Sequence, residues 1–280
     1  AKALNGSRST QIVASNSPFR YQTSMALRVI GAAVVASNFG AIEGLRVDRS
    51  KDCTCLNWKN VYQSHGAQCG QALEFYLVMK KGVPWGTAQK AIGHEFCGKF
   101  FQRINDNFCV NVDFTHEPSQ WTGQQWCYVS SKCKNLEGGH ALPDRNTSWK
   151  LCGPSDRTLR AQSPVELDRL RGELDLDLGL MAKFAYPIWQ SAKWPEVQPF
   201  FLSDKVMRTS STQLDEVVKS GAPMLFDSRD GHPPFHIVFG KSVYRINFTP
   251  NGKLNYARGR MGDVNEMKCV KGCGKDSELA

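Results

Sequence analysis

The chain has 280 residues, 41% apolar and 22% charged, which is enough hydrophobic material for a real core and excludes wholesale disorder. Its formal charge of +9 comes from Lys and Arg scattered in ones and twos. Without a basic stripe beside stacking aromatics, nucleic acid is not an expected partner; an acidic partner or anionic headgroups suit the surface better.

Residues 1–24 are polar and rich in Ser and Asn. The following stretch, 25–44, holds a short apolar run, Val29 to Ala36, bracketed by Arg28 and Asn38. A spanning helix needs about 20 apolar residues, so this run does not read as one. Its grammar is that of a secretory signal, one basic residue, an apolar run and then small residues. The expectation for 1–49 is an extension whose small-residue helix docks on protein or membrane, since Ala and Gly permit close backbone approach.

The next region, 50–155, carries Cys53, Cys55, Cys69, Cys97, Cys109, Cys127, Cys133 and Cys152; Cys269 and Cys273 follow near the C-terminal end of the chain. An even, clustered set among Trp and Tyr predicts a disulfide framework and hence an oxidising, extracytoplasmic compartment. Eight cysteines allow 105 pairings, and the sequence does not choose among them. Cys53 and Cys55, one residue apart, are expected to bridge to different partners, because a bond between them would be strained. Cys269-Val-Lys-Gly-Cys273 is read as a local bridge, with a clasp back to the rest of the chain as the alternative. Leu73, Tyr76, Leu77 and Lys80 fall at helical spacing up to the stop at Gly82 and Pro84; Ala88, Ile92, Phe96, Phe100 and Ile104 predict a second helix over 87–105. Cys109 to Phe114 and Trp126 to Ser130 read as extended pieces. Trp121, Trp126, Tyr128 and Trp149 are expected to form a mini-core, with a ligand platform as their other use.

Composition shifts at Cys152-Gly-Pro-Ser155, and 156–280 reads as a further α+β region. Ser163-Pro-Val-Glu166 has a helix cap, a proline at the first position and a capping-box glutamate. Leu167, Leu170, Leu174, Leu178 and Met181 predict one amphipathic helix ending before Pro187. The segment 186–201, with Tyr186, Trp189, Trp194, Phe200 and Phe201 among prolines, is expected to be an ordered aromatic loop and a contact strip. Thr212 to Lys219 predicts a helix between Ser211 and Gly221. Met224 to Phe226, Phe235 to Phe239 and Ser242 to Phe248 read as strands. Asn251-Gly252 predicts a hairpin turn returning through Leu254 to Ala257. The expected fold class is α+β: a disulfide-rich mixed helical and extended domain, then helices packed on a small antiparallel sheet.

Motifs for chemistry are sparse. His-Glu-x-x-His, spaced Cys-x-x-Cys pairs, a haem-attachment motif, a dinucleotide fingerprint, a phosphate loop and Gly-x-Ser-x-Gly are all missing, so no metal or cofactor is expected. Gly66-Ala-Gln-Cys69-Gly70 lacks the second cysteine and tryptophan of a papain-type nucleophile. Asp227, Asp230 and His232, in one turn-like stretch, are the candidates for acid–base chemistry of a hydrolase; the competing reading is a polar turn. Sequons stand at Asn5, Asn146 and Asn247. The leading expectation is therefore a noncatalytic extracytoplasmic protein with a protein partner or a membrane-associated assembly. A carbohydrate-binding module and a hydrolase are the alternatives.

Overall fold

The computed structural model describes residues 51–117, 119–203, 211–227, 232–258 and 263–274. The expected docking helix within 25–44, the sequon at Asn5 and Asp230 lie outside these residues. The fold is disulfide-rich α+β with two antiparallel sheets.

In the cysteine-rich region, α1 (Trp58–Gln63) starts on an Asn57 cap whose side chain accepts from the Asn60 amide. Then come α2 (Tyr76–Met79) and α3 (Trp85–Phe96), which runs on into a wider π-helical turn at Cys97–Phe101. Strands β1 (Val110–Asn111), β2 (Gln125–Ser130) and β3 (Thr147–Leu151) form a three-stranded sheet in that order. Five disulfides account for all ten cysteines: Cys53–Cys133, Cys55–Cys127, Cys69–Cys97, Cys109–Cys152 and Cys269–Cys273. Cys53 and Cys55 thus go to different partners, and the tail bridge is local. Bridges of this number mark an oxidising, extracytoplasmic environment.

The predicted single helix after Ser163 is two helices. In α4 (Pro164–Leu174) the Ser163 hydroxyl caps the Glu166 amide as expected. Asp175 then turns left-handed at φ 51° and ends the helix, and Asp177 caps α5 (Leu178–Ala185) by accepting from the Leu180 amide at 2.9 Å. Two short acids that prefer caps to helix interiors break what the leucine stripe would continue. The aromatic segment is also more ordered than a loop. Residues 187–189 run along an edge of the second sheet, through Leu225 N–H to Pro187 and Trp189 N–H to Leu225, both 2.8 Å. Helix α6 (Trp194–Leu202) follows, with Pro195 in its first turn, where a missing N–H costs nothing.

Helix α7 (Thr212–Ser220) lies between Ser211 and Gly221 as predicted. The second sheet has the order β4 (Met224–Phe226), β5 (Phe235–Phe239), β6 (Ser242–Asn247) and β7 (Glu266–Lys271). The expected Asn-Gly hairpin is absent. Instead Thr249 caps α8 (Pro250–Ala257), its hydroxyl accepting from the Gly252 amide at 3.0 Å. A Cβ on Gly252 would lie 2.4 Å from the Asp263 carbonyl oxygen, so this glycine serves close approach rather than a left-handed turn. The returning strand is β7, not 254–257. As an outer strand it carries Lys268 and Lys271, and the Cys269–Cys273 bridge ties its end, both of which discourage edge-to-edge pairing.

One apolar core crosses position 155. Phe184 from α5 stacks on Phe100 at 4.5 Å and meets Phe96, Phe101 and Phe114 edge-on or tilted; Leu225, Phe235, Ile237, Tyr244 and Ile246 belong to the same core. Asp48–Ala280 accordingly cluster as one compact unit. The change at 155 is one of cysteine content, not a border between separate cores. A second cluster covers the opposite sheet face, where Trp189, Trp194, Val197, Leu214 and Val217 meet Phe226, Val238 and Val243.

Candidate functional site

Most of the aromatic contact candidates are consumed by packing. Trp126, Tyr128 and Tyr186 have no exposed surface, and Trp149, Trp189 and Trp194 are buried. Trp126 lies 4.9 Å from Trp58 and 5.1 Å from Tyr128 between ring centroids. Trp121 is partly buried between Tyr76 and Trp149; Phe201 stacks on Trp194, and Phe200 joins the same cluster. Rings of this size bury 150–250 Å² and satisfy each other's edges and faces. In this fold the mini-core reading applies, and the buried rings offer no platform.

Of the acid–base candidates, the described Asp227 and His232 face different concavities. Asp227, just after β4, is buried and faces α5 and the His116 segment. Its Oδ2 is 3.4 Å from Lys183 Nζ and 3.8 Å from His116 Nε2. Lys183 Nζ also stands 4.6 Å above the Phe235 ring, a cation–π contact in a shielded place. Around them lies a cleft of about 280 Å³ lined by His116, Gln190, Ser191, Lys193, Glu196 and Asp227. The His116 wall is fixed from below. Asp113 accepts from Lys80 at 2.7 Å, from Ser119 and from the Thr115 amide, and Gln190 Nε2 donates to the Thr115 carbonyl across the cleft at 3.1 Å. The cleft balances cations against carboxylates, and the buried one is already ion-paired. Sequence reading found Asp227 but missed His116 and Lys183, which lie on distant segments.

His232 serves a different place. Its ring lies 4.9 Å from Tyr256 and 6.5 Å from Phe248, and Phe248 stacks on Tyr256 at 5.0 Å. Beside this ladder runs a groove of about 460 Å³ lined by Pro233, Pro234, Arg245, Asn247, Phe248, Pro250, Lys253 and Glu266. Glu266 is paired with Lys268 at 2.7 Å. Arg245 and Lys253 make no ion pair among the described residues and leave the groove positive. Tyr256 and Leu254 on α8 are 45% and 48% exposed, large for apolar groups on one short helix. The misread Asn-Gly turn hid this surface, since as a strand its alternation would have aimed Leu254 and Tyr256 inward.

Next to the groove, His236 faces Arg245 across β5 and β6 and stacks on Trp194 at 4.3 Å. Burial first, and Arg245 second, lower its pKa from 6.5 to about 4. The folded protein therefore refuses a proton that the unfolded chain accepts below about pH 6.5. The stability linked to this group is intact above that pH and is lost as pH falls toward 4, at most about 3 kcal/mol. His236→Phe removes a buried Nδ1 that makes no hydrogen bond among the described residues. Denaturant melts from pH 7 to 4 should show the wild type losing stability more steeply than this variant; parallel curves would refute the assignment.

Among the described residues no helix is long and apolar enough to cross a membrane. No family model, curated protein or solved structure matches the chain.

Proposed function

We propose that the protein is a noncatalytic binding or structural component of an extracytoplasmic compartment, an accessory subunit that docks on a membrane-associated assembly through α8 and the adjoining groove. The observation that carries this reading is the composition of that face. Exposed Tyr256 stacks on Phe248 and lies beside His232, next to the groove lined by Arg245 and Lys253, which make no ion pair among the described residues. Aromatic and arginine side chains around an apolar centre are the pattern of protein-contact hot spots. The excess positive charge in the groove and in the chain as a whole selects an acidic partner surface. A lumenal or secreted setting agrees with the five bridges, and the exposed sequon asparagine Asn146 is open to glycosylation there.

A second reading, binding of an acidic carbohydrate, is favoured by the Tyr256–Phe248 ladder beside the same polar groove. The two separate in one experiment. Tagged wild type and an Arg245→Glu/Tyr256→Ser variant are returned to the native source and sized after extraction in mild detergent. The docking reading expects wild type in a large assembly and the variant at monomer size, with thermal stabilities within about 0.5 kcal/mol of each other. Wild type running as a monomer would refute docking. Retention on an acidic polysaccharide column by such a monomer, lost in the variant, would establish the carbohydrate reading instead.

A further inference from the structure

One of the five bridges is placed unlike the others. Cys53–Cys133, Cys55–Cys127, Cys69–Cys97 and Cys109–Cys152 join residues 28 to 80 positions apart, and each has at least one buried cysteine. Cys269–Cys273 spans four positions at the end of the outer strand β7; Cys269 is exposed and Cys273 partly so. The bridge straddles a bulge. Tyr244 of β6 pairs with Cys269 and Val243 with Lys271, which leaves Val270 unopposed and 42% exposed.

We propose that Cys269–Cys273 is a reversible thiol–disulfide exchange site whose substrates are dithiols, small or carried by a protein, and the corresponding cyclic disulfides. Its resting form in an oxidising compartment is the closed bridge. In the forward direction one thiolate of the dithiol attacks Cys269 Sγ, on the more exposed cysteine. The Cys269–Cys273 bond breaks, a mixed disulfide forms at Cys269, and the electron pair leaves on Cys273, which takes a proton. The second thiolate of the dithiol then attacks its own sulfur in the mixed disulfide. The reagent departs as a cyclic disulfide, and Cys269 leaves with the electron pair and is protonated. The dithiol is oxidised by two electrons and the protein reduced by two. The reverse sequence, started by a cyclic disulfide, closes the bridge again.

Opening this bridge costs the fold little, because a ring of four positions takes little entropy from the unfolded chain. The open form also has partners in place. Cys273 Sγ lies 3.3 Å from the Lys271 carbonyl oxygen and 3.7 Å from that of Val243, two acceptors for a thiol proton. The segment between the cysteines is docked by contacts that do not involve sulfur. Lys271 Nζ donates to the Leu202 and Ser203 carbonyls at 3.1 and 2.9 Å, and the Ser242 hydroxyl donates to the Gly272 carbonyl at 2.8 Å. The two thiols therefore stay within reach of each other, and reclosure is intramolecular. With the other eight cysteines bonded, no wrong partner is free.

The test uses the intact folded protein. A limiting amount of dithiothreitol is added without denaturant, the reaction is quenched in acid, free thiols are alkylated, and peptides are mapped without reduction. Alkyl groups are expected on Cys269 and Cys273 alone, with the other four bridges closed and faster amide exchange confined to residues 266–274. Excess oxidised dithiothreitol, added before the quench, should restore the closed bridge. Opening of any other bridge first, or to the same extent, would overturn the proposal. So would a Cys269–Cys273 bridge that stays closed until the protein unfolds, or that does not reclose once opened. A Cys269→Ser/Cys273→Ser variant reads the selectivity separately. It should take up no alkyl group at the same limiting dithiol, and alkylation of its remaining cysteines would also overturn the proposal.

Discussion

Replacing Cys55 and Cys127 together by serine should cost about 4 kcal/mol. The Cys53–Cys133 bridge still ties the unfolded chain just before Cys55 and just after Cys127, so loop closure accounts for only about 2.5 kcal/mol of this loss. The Cys55–Cys127 bridge also sits where packing cannot compensate. Cys127 is fully enclosed between Trp126 and Tyr128 on β2, and Cys55 lies just ahead of α1, whose Trp58 ring is 4.9 Å from Trp126. Two serine hydroxyls in that place would seek hydrogen bonds among rings and sulfur, adding to the loss. The same double replacement at Cys269 and Cys273, four positions apart on the outer strand, should cost about 2 kcal/mol or less, because a short loop gains little from closure. Denaturant melts of the two variants, with bridges verified by nonreducing peptide maps, give the comparison. A central pair that costs no more than the tail pair would show that the aromatic core, rather than sulfur, holds this region. Free thiols in freshly isolated native protein would go further and remove the assignment to an oxidising compartment.

The parts of the fold that were legible in sequence are those with a local cause. Ser211 and Gly221 fix α7 because capping chemistry acts over a few residues, and the alternation of 235–239 and 242–247 gives antiparallel strands directly. The parts that were not legible depend on contacts distant in sequence. Asn251-Gly252 has strong local turn chemistry, yet the Thr249 cap and the close approach of Asp263 make it helical. Strand β7 is half charged and half exposed, and it is a strand because β6 pairs with it. The same logic governs the sites. A tryptophan that fills a core and one that binds a ligand look identical in sequence, and only the crossing of 126–128 with Trp58 decides between them. Asp227 stood out as an acid in a polar stretch, but its partner His116 comes from the other side of the core crossing and Lys183 from α5, well before β4 in the chain. Among the described residues, what joins Asp227 and His232 is sequence proximity alone, and they line or border different concavities.

Glu74→Ala should cost about 3 kcal/mol, although nothing in the sequence marks this acid. Its side chain is buried and accepts at Oε1 from Tyr128 at 2.6 Å and Tyr62 at 2.9 Å, and at Oε2 from the Ala72 amide at 3.1 Å. The tyrosines lie 54 and 12 positions away. Truncation strands three donors, the Tyr128 hydroxyl fully buried and the other two partly so, and leaves a hole beside the Trp58 cluster. Glu74→Gln keeps an oxygen for both tyrosines but turns an amide N–H toward the Ala72 N–H, so its cost should be about 1 kcal/mol. The two variants also separate charge from shape. Burial raises the Glu74 carboxyl above its ordinary value, against the pull of the hydrogen bonds from Tyr128 and Tyr62. The folded protein therefore holds the proton more tightly than the unfolded chain does. The linked stability is complete below the ordinary carboxylate pKa and is lost as pH rises through the raised folded value. His236 acts with the opposite sign over an overlapping range, losing stability as pH falls. Total stability against pH thus mixes two opposed slopes and can look flat. The difference between wild type and Glu74→Gln removes the histidine contribution, and that difference should favour wild type more at pH 4 than at pH 7. A difference independent of pH would mean that the hydrogen bonds cancel the burial, so that the Glu74 carboxyl titrates alike in the folded and unfolded chain.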